Sequence, residues 1–340
     1  MTEASRRGRP QRVSSLTMAS RRELLLVIGA VASMHAFAQH SVRRISMLLP
    51  GSPQTFSHLV DAFRSALREL GYREGHDIVI EQHYLNGDFS RLPAVAEEIV
   101  RKGAVVIVVS STPVAMAMKQ ATQTLPIVVA NGGGLVESGL VGSLARPGGN
   151  VTGMSSLTEG LIQKQVSLLL DFVPTVRRIG VVRRIKDPVA NTFQREAEDA
   201  SEKFGVKILP LMLSGADDLG HLQRMIDEVR PDGLIVLPDP VLVAARESVV
   251  AVVTASKLPA IYPFREYTVS GGMISYGVNI GANFRKAATY VDRIMKGEKP
   301  GDLPIQQPTR FELVVNRRAV RRAGLAISPA LMIRIDELVD

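Results

Sequence analysis

One pattern constrains this chain more than any other. Short apolar runs rich in Val and Ile alternate with amphipathic segments of helical period, and the alternation runs through the sequence twice. In the first series, residues 45–49, 78–81, 105–109, 127–130 and 151–154 read as strands, separated by helical patterns at 57–70, 92–100, 113–122 and 138–145. Leu59, Phe63, Ala66, Leu67 and Leu70 share one face of the first helix, and Gly71 ends it. In the second series, helices over 159–172, 190–204, 217–229, 241–255 and 282–296 are interleaved with strands over 179–182, 207–211, 233–237, 260–262 and 273–275. A last strand is expected at 311–315, followed by helices in the tail. Unbroken Val/Ile runs bounded by turn residues suit strands buried on both faces, which means parallel sheets covered by helices.

Two series of the same grammar and similar length predict an α/β protein of two doubly wound parallel-sheet lobes joined by a hinge. The expected division is a leader over 1–38, a first lobe over 39–154, a second over 155–276, and a segment over 277–340 that crosses the hinge and packs on both lobes. The chain is expected to cross near 154–158, 276–280 and 305–310. Ligands of doubly wound sheets bind outside the carboxyl ends of the strands, so two facing lobes place the site in the cleft between them.

The leader is read from Arg21 and Arg22, the apolar run from Leu24, and the small-x-small pattern Ala36-Phe37-Ala38. Ser33 and His35 interrupt the run well short of the roughly 20 apolar residues a spanning helix needs. An export signal of twin-arginine or general secretory type is expected, with Met1 or Met18 as the start and a periplasmic product that does not span the membrane. Residues 1–38 hold six arginines and two glutamates, so 35 basic and 31 acidic residues remain, a net charge of +4. The residual basic cluster, Arg317, Arg318, Arg321 and Arg322, reads as a solvated helix face, and no nucleic-acid partner is expected. The chain has no cysteine, so its fold rests on its core alone.

Signs of catalysis are scarce. The histidines lack metal-ligand spacing, and there is no Gly-x-Ser-x-Gly, Walker or Gly-x-Gly-x-x-Gly motif. Gly132-Gly133-Gly134 reads as a tight turn. No enzyme, no metal and no cofactor is expected. The strand-end loops instead suit capture. Ser52, after the first strand, and Ser111 and Thr112, after the third, offer hydroxyls and free N–H groups at helix starts; helix capping is the competing role. Asn131 and Ser155 close the next two strands. In the second lobe, Asp239 or Glu266 is a candidate for an ammonium and Arg265 for a carboxylate, against Asp239 as a turn residue and Arg265–Glu266 as a surface pair. Phe56, Phe264 and Tyr276 could supply flat apolar contact, or belong to the core.

The stretches GSPQTF, AFRSALRELGYREG, SGLVGSLARPGGNVTG, VLPDP, LPAIYPFREY, GGMISYG and ATYVDRIMKGEKPGDLPIQQPTRFELVVN occur here in that order. They resemble the bacterial ABC-transporter substrate-binding family of tryptophan/tyrosine type, over nearly the whole mature chain. The resemblance implies a type I periplasmic-binding-protein fold, capture of an amino-acid-like small molecule by closure of two lobes, and delivery to an inner-membrane ABC permease by a monomer. Where that family commonly reads Gly-Asp-Pro-Val-Gly, this chain has Gly133-Gly134-Leu135-Val136-Glu137. Where it commonly reads Trp/Tyr-Asn-Pro, this chain has Arg183-Arg184-Ile185. Arg183 or Arg184 would favour a more acidic ligand, unless it points to solvent. The rival functions are a periplasmic sensor that signals ligand state to a membrane receptor, and an exported α/β enzyme.

Overall fold

The structure, a computed structural model, describes residues 42–156, 160–185 and 190–340. The expected leader lies outside the described residues.

The first sheet is entirely parallel, in the order β2-β1-β3-β4-β5. Its strands are β1 (Arg43–Leu49), β2 (Ile78–Tyr84), β3 (Val106–Val109), β4 (Ile127–Gly132) and β5 (Val151–Ser155). All four residues of β3 are buried, as a central parallel strand covered on both faces requires. Helices α1 (Pro53–Glu69), α2 (Leu92–Arg101) and α3 (Thr112–Ala121) make the crossovers.

The second sheet has the order β12-β11-β10-β9-β8-β6-β7. Its parallel part comprises β6 (Arg178–Arg184), β7 (Lys207–Leu213), β8 (Gly233–Val236), β9 (Ala260–Tyr262) and β10 (Ile274–Gly277). Read from β7 to β10, the order repeats that of the first sheet strand for strand. Beyond it, β11 (Glu312–Asn316) runs antiparallel to β10, and β12 (Glu337–Val339) pairs parallel with β11. Around this sheet lie α4 (Leu161–Phe172), α5 (Ala190–Phe204), α6 (Leu219–Val229), α7 (Pro240–Ala244), α8 (Arg246–Ala255) and α9 (Arg265–Val269).

After β10 the chain enters α10 (Ile280–Met295), which leaves the second sheet and packs against α1, β4 and β5 of the first. Tyr72 Oη donates to Asp292 Oδ1 at 2.7 Å, fastening the end of α1 to this helix. The chain then returns past β5. Gln306 N donates to Gly153 O at 2.9 Å and Ser155 N to Gln306 O at 2.8 Å, so two of the three connections between sheets run side by side. The tail adds α11 (Arg317–Arg322) and α12 (Pro329–Met332) before β12.

The fold is the expected α/β arrangement of two parallel-dominated sheets with interleaved helices, and four local expectations are corrected. Residues 138–145 form successive turns, not a helix, because Gly139, Gly148 and Gly149 take left-handed φ angles of 70°, 67° and 66° and Pro147 lies among them. The helix expected over 241–255 is two, broken at Ala245. A short helix, α9, follows β9, and the tail ends in a strand.

Gly277 marks the end of β10 where the chain leaves the second sheet; a Cβ there would stand 1.8 Å from the Pro263 carbonyl oxygen. Gly277→Ala is therefore expected to cost about 2 kcal/mol and to lower the melting temperature by roughly 4 °C or more. Gly220→Ala, in α6 with open space around it, is the control. It should leave the melting temperature unchanged or raise it, since Ala is favoured over Gly inside a helix by about 1 kcal/mol.

Candidate ligand-binding cleft

A parallel sheet in the order 2-1-3-4-5 reverses its direction of winding between its second and third strands, where the loops part and leave a crevice. Here the reversals fall between β1 and β3 in one sheet and between β6 and β8 in the other. The loops at these points face each other across one pocket enclosing about 660 Å³ of space, mouth included. Pro50 and the segment Ser110–Pro113 line it from the first lobe; Pro238, Asp239 and Pro240 line it from the second.

The first-lobe wall is rich in donors. Ser111 holds the N-cap position of α3, yet its hydroxyl makes no capping bond. Ser110 and Ser111 are 7% and 5% exposed, and neither Oγ has a hydrogen-bond partner. The hydroxyl of Thr112 is committed, donating to Gly133 O at 2.6 Å, which ties this loop to the one after β4. The α3 N-terminus adds backbone N–H groups and the positive end of a helix dipole. Two buried hydroxyls left unbonded beside them make a site whose polar groups want an acceptor, above all a negatively charged one.

The second-lobe wall is different. Asp239 caps α7: its Oδ1 accepts from Val241 N at 2.8 Å and from Leu242 N at 3.0 Å. Its Oδ2 accepts from Arg184 Nε at 2.7 Å. Among the described residues Asp239 is the only ionisable one lining the pocket, and it serves as both turn residue and ion-pair partner. The rest of the lining is largely apolar, with the rings of Phe56, Phe193 and Phe264 and the side chains of Val243 and Ile280. At the rim, His58 on α1 stands 3.5 Å from Glu266 on α9, a contact between the lobes.

Of the residues singled out from the sequence, Phe56, Ser111, Thr112, Asn131, Asp239 and Phe264 line this pocket together. Asn131 Oδ1 accepts from Asn283 of α10 at 3.2 Å. Five others stand elsewhere. Ser52 starts α1, its N–H donating to Thr55 Oγ1 at 3.0 Å and its carbonyl accepting from the same hydroxyl at 3.1 Å. Ser155 is held against the returning segment, and its neighbour Ser156 lines the pocket instead. Arg183 is on β6, opposite Met212 of β7, outside the lining. Arg265 forms a two-pronged pair with Glu337, both contacts 2.6 Å, which holds the Glu337 carboxyl below its ordinary pKa. Tyr276 stacks on Phe311 with ring centroids 5.8 Å apart, outside the pocket. Sequence reasoning missed Ser110, Ser156, Phe193, Val243 and Ile280. Ser110 immediately precedes Ser111 and Thr112 in one run of hydroxyls, while the apolar three carry no local mark that separates them from core residues.

The Arg184–Asp239 pair is nearly dry, its side chains 14% and 1% exposed. Arg184→Ala leaves a buried carboxylate unpaired and should cost on the order of 3 kcal/mol in urea unfolding. Arg184→Met with Asp239→Asn removes both charges and keeps a capping side chain, and should recover most of that loss. Equal losses for the single and double variants would mean that the pair contributes little.

Comparison with known proteins agrees with this architecture. A tyrosine-binding protein from Clostridioides difficile (strain R20291) is 25% identical over 260 residues, 76% of this chain and 74% of that protein. A conserved domain protein from Vibrio cholerae O1 biovar El Tor superposes with a TM-score of 0.81 at 25% identity, covering 88% of this chain and all of the other. An ABC domain in complex with L-Trp from Streptococcus pneumonia has the same TM-score and coverage at 23% identity. The two-lobe fold is that of type I periplasmic binding proteins. A family model described as ABC transporter substrate binding protein matches residues 45–339, and the chain belongs to that family.

Proposed function

We propose that the protein is an exported, non-enzymatic solute receptor of an ABC importer, which captures a small amino-acid-like carboxylate between its lobes. One observation carries the reading: the buried, unpartnered hydroxyls of Ser110 and Ser111 at the N-terminus of α3, inside a pocket that both lobes line. A ligand carboxylate would accept from them and from the adjacent N–H groups, while its apolar body lies among Phe56, Phe193 and Phe264. The relatives support the ligand class, since one is a tyrosine-binding protein and another is a complex with L-Trp.

In this reading, an open form exposes two half-sites. The ligand touches both walls at once and so stabilises the closed form by its differential affinity, and closure presents one surface to an inner-membrane permease. The connections between the lobes serve as the hinge, and residues 277–340 pack on both lobes. The leader over 1–38 directs the monomer to the periplasm. Among the described residues no helix is long and apolar enough to cross a membrane.

The test uses mature protein from His40, unfolded and refolded to strip any bound solute. A carboxylate at 100 times its dissociation constant should add about 2.7 kcal/mol and raise the melting temperature by several degrees. Ser110→Ala and Ser111→Ala should each weaken that ligand by roughly tenfold in calorimetry, the effect of losing one charge-assisted hydrogen bond. A natively refolded protein that responds to sugars or nucleosides and to no carboxylate would overturn the reading.

A further inference from the structure

The arginine cluster that the sequence presents as a solvated helix face lacks partners in the structure. Arg317 pairs with Asp340 at 3.7 Å. Arg318, Arg321 and Arg322, spaced i, i+3 and i+4, share one exposed face of α11. Lys257, just past the end of α8, is exposed as well. Among the described residues none of these four side chains has a hydrogen-bond or ion-pair partner. Val315 pairs antiparallel with Ile274, and Asn316 N donates to Met273 O at 2.9 Å, so α11 starts beside the amino end of β10. The cleft lies at the carboxyl ends of the parallel strands, so this face occupies the opposite end of the second sheet and leaves the cleft open.

A groove between α8 and α11 encloses about 750 Å³ of space, mouth included. Val253, Leu258, Met273 and Ala319 make its lining largely apolar, and Lys257 and Arg322 are the charged members. Lys257 takes a φ of 57°, a left-handed conformation that glycine or asparagine adopts at lower cost, so a cation is kept there against backbone preference. We propose that this face docks on a membrane surface rich in anionic phospholipid. Four unpaired cations suit anionic oxygens, and a guanidinium meets a phosphate through a two-pronged fork. An apolar groove with cations in its lining suits an amphiphile, whose apolar part enters while its phosphate stays with Lys257 and Arg322. A nucleic acid would supply phosphates but leave the groove unused. It would also find no exposed ring in that lining for base stacking, since Tyr262 is 1% exposed.

The experiment is co-sedimentation of mature protein from His40 with vesicles of phosphatidylethanolamine and phosphatidylglycerol, against vesicles of phosphatidylcholine alone. The protein should partition onto the anionic vesicles at roughly 0.05 M salt, much less at roughly 0.5 M, and not onto phosphatidylcholine. Arg318→Gln with Arg321→Gln and Arg322→Gln should cut the partition by roughly a hundredfold, about fivefold for each charge. Lys257→Asn should cut it about fivefold and melt no lower than the unmodified protein, since asparagine suits the left-handed position. Arg91→Gln with Arg101→Gln and Arg146→Gln, three exposed positions in the first lobe with the same change in net charge, should leave it within about twofold. Equal losses from the two triple variants would mean that attraction follows net charge alone, which overturns the proposal. Failure to sediment with the anionic vesicles overturns it too, and binding to poly-L-glutamate in their place would make an acidic protein segment the partner.

Discussion

Where a parallel sheet reverses its direction of winding, the loops on either side of the reversal leave for opposite faces, and a crevice opens at the carboxyl ends of the strands. This chain meets that constraint twice, with β1 and β3 in one sheet and β6 and β8 in the other. Pro50 and Ser110–Pro113 arrive at one crevice because they end β1 and β3. Arg184 and Asp239 arrive at the other because they end β6 and follow β8. A site lined by residues nearly 200 positions apart in sequence thus needs no special device beyond strand order, repeated.

Strand order alone would leave the two crevices unconnected. The chain's second and third crossings join them: α10 leaves the second sheet to pack on α1, β4 and β5, and the segment at Gln306 comes back beside β5. The core also reaches across this join, for Phe56, Phe63, Phe264, Val278 and Phe284 belong to one continuous apolar cluster. Burial of that cluster favours lobes that stay together. The polar walls, with unsatisfied hydroxyls on one side and a self-neutralised carboxylate on the other, set what can stand between them.

Much of this was legible in the sequence because the Val/Ile runs and helical stripes encode burial on both faces directly. What failed locally failed for local reasons. The apolar spacing of residues 138–145 resembles a helix, but the glycines around it adopt φ angles that a helix cannot use. The candidate site was legible where a residue's role follows from its place at a strand end, as for Ser111, Thr112, Asn131 and Asp239. It was not legible where a partner comes from a distant return of the chain. Arg265 is taken by Glu337 and Tyr276 by Phe311, contacts that exist only once β11 and β12 have closed the sheet edge. The pairing of Arg184 with Asp239 was hidden in the same way, and it changes the chemistry expected of both residues.

The proposed function turns on closure of the two lobes around a solute. Because the chain has no cysteine, spin labels can be placed uniquely at Glu97→Cys on α2 and Glu228→Cys on α6, both exposed. Pulsed electron-spin measurement of the distance between them, with and without a carboxylate that raises the melting temperature, reads lobe closure directly. A broad or bimodal distribution is expected in stripped protein, narrowing to its shorter component when the solute is added. A distribution unchanged by a solute that binds would contradict it.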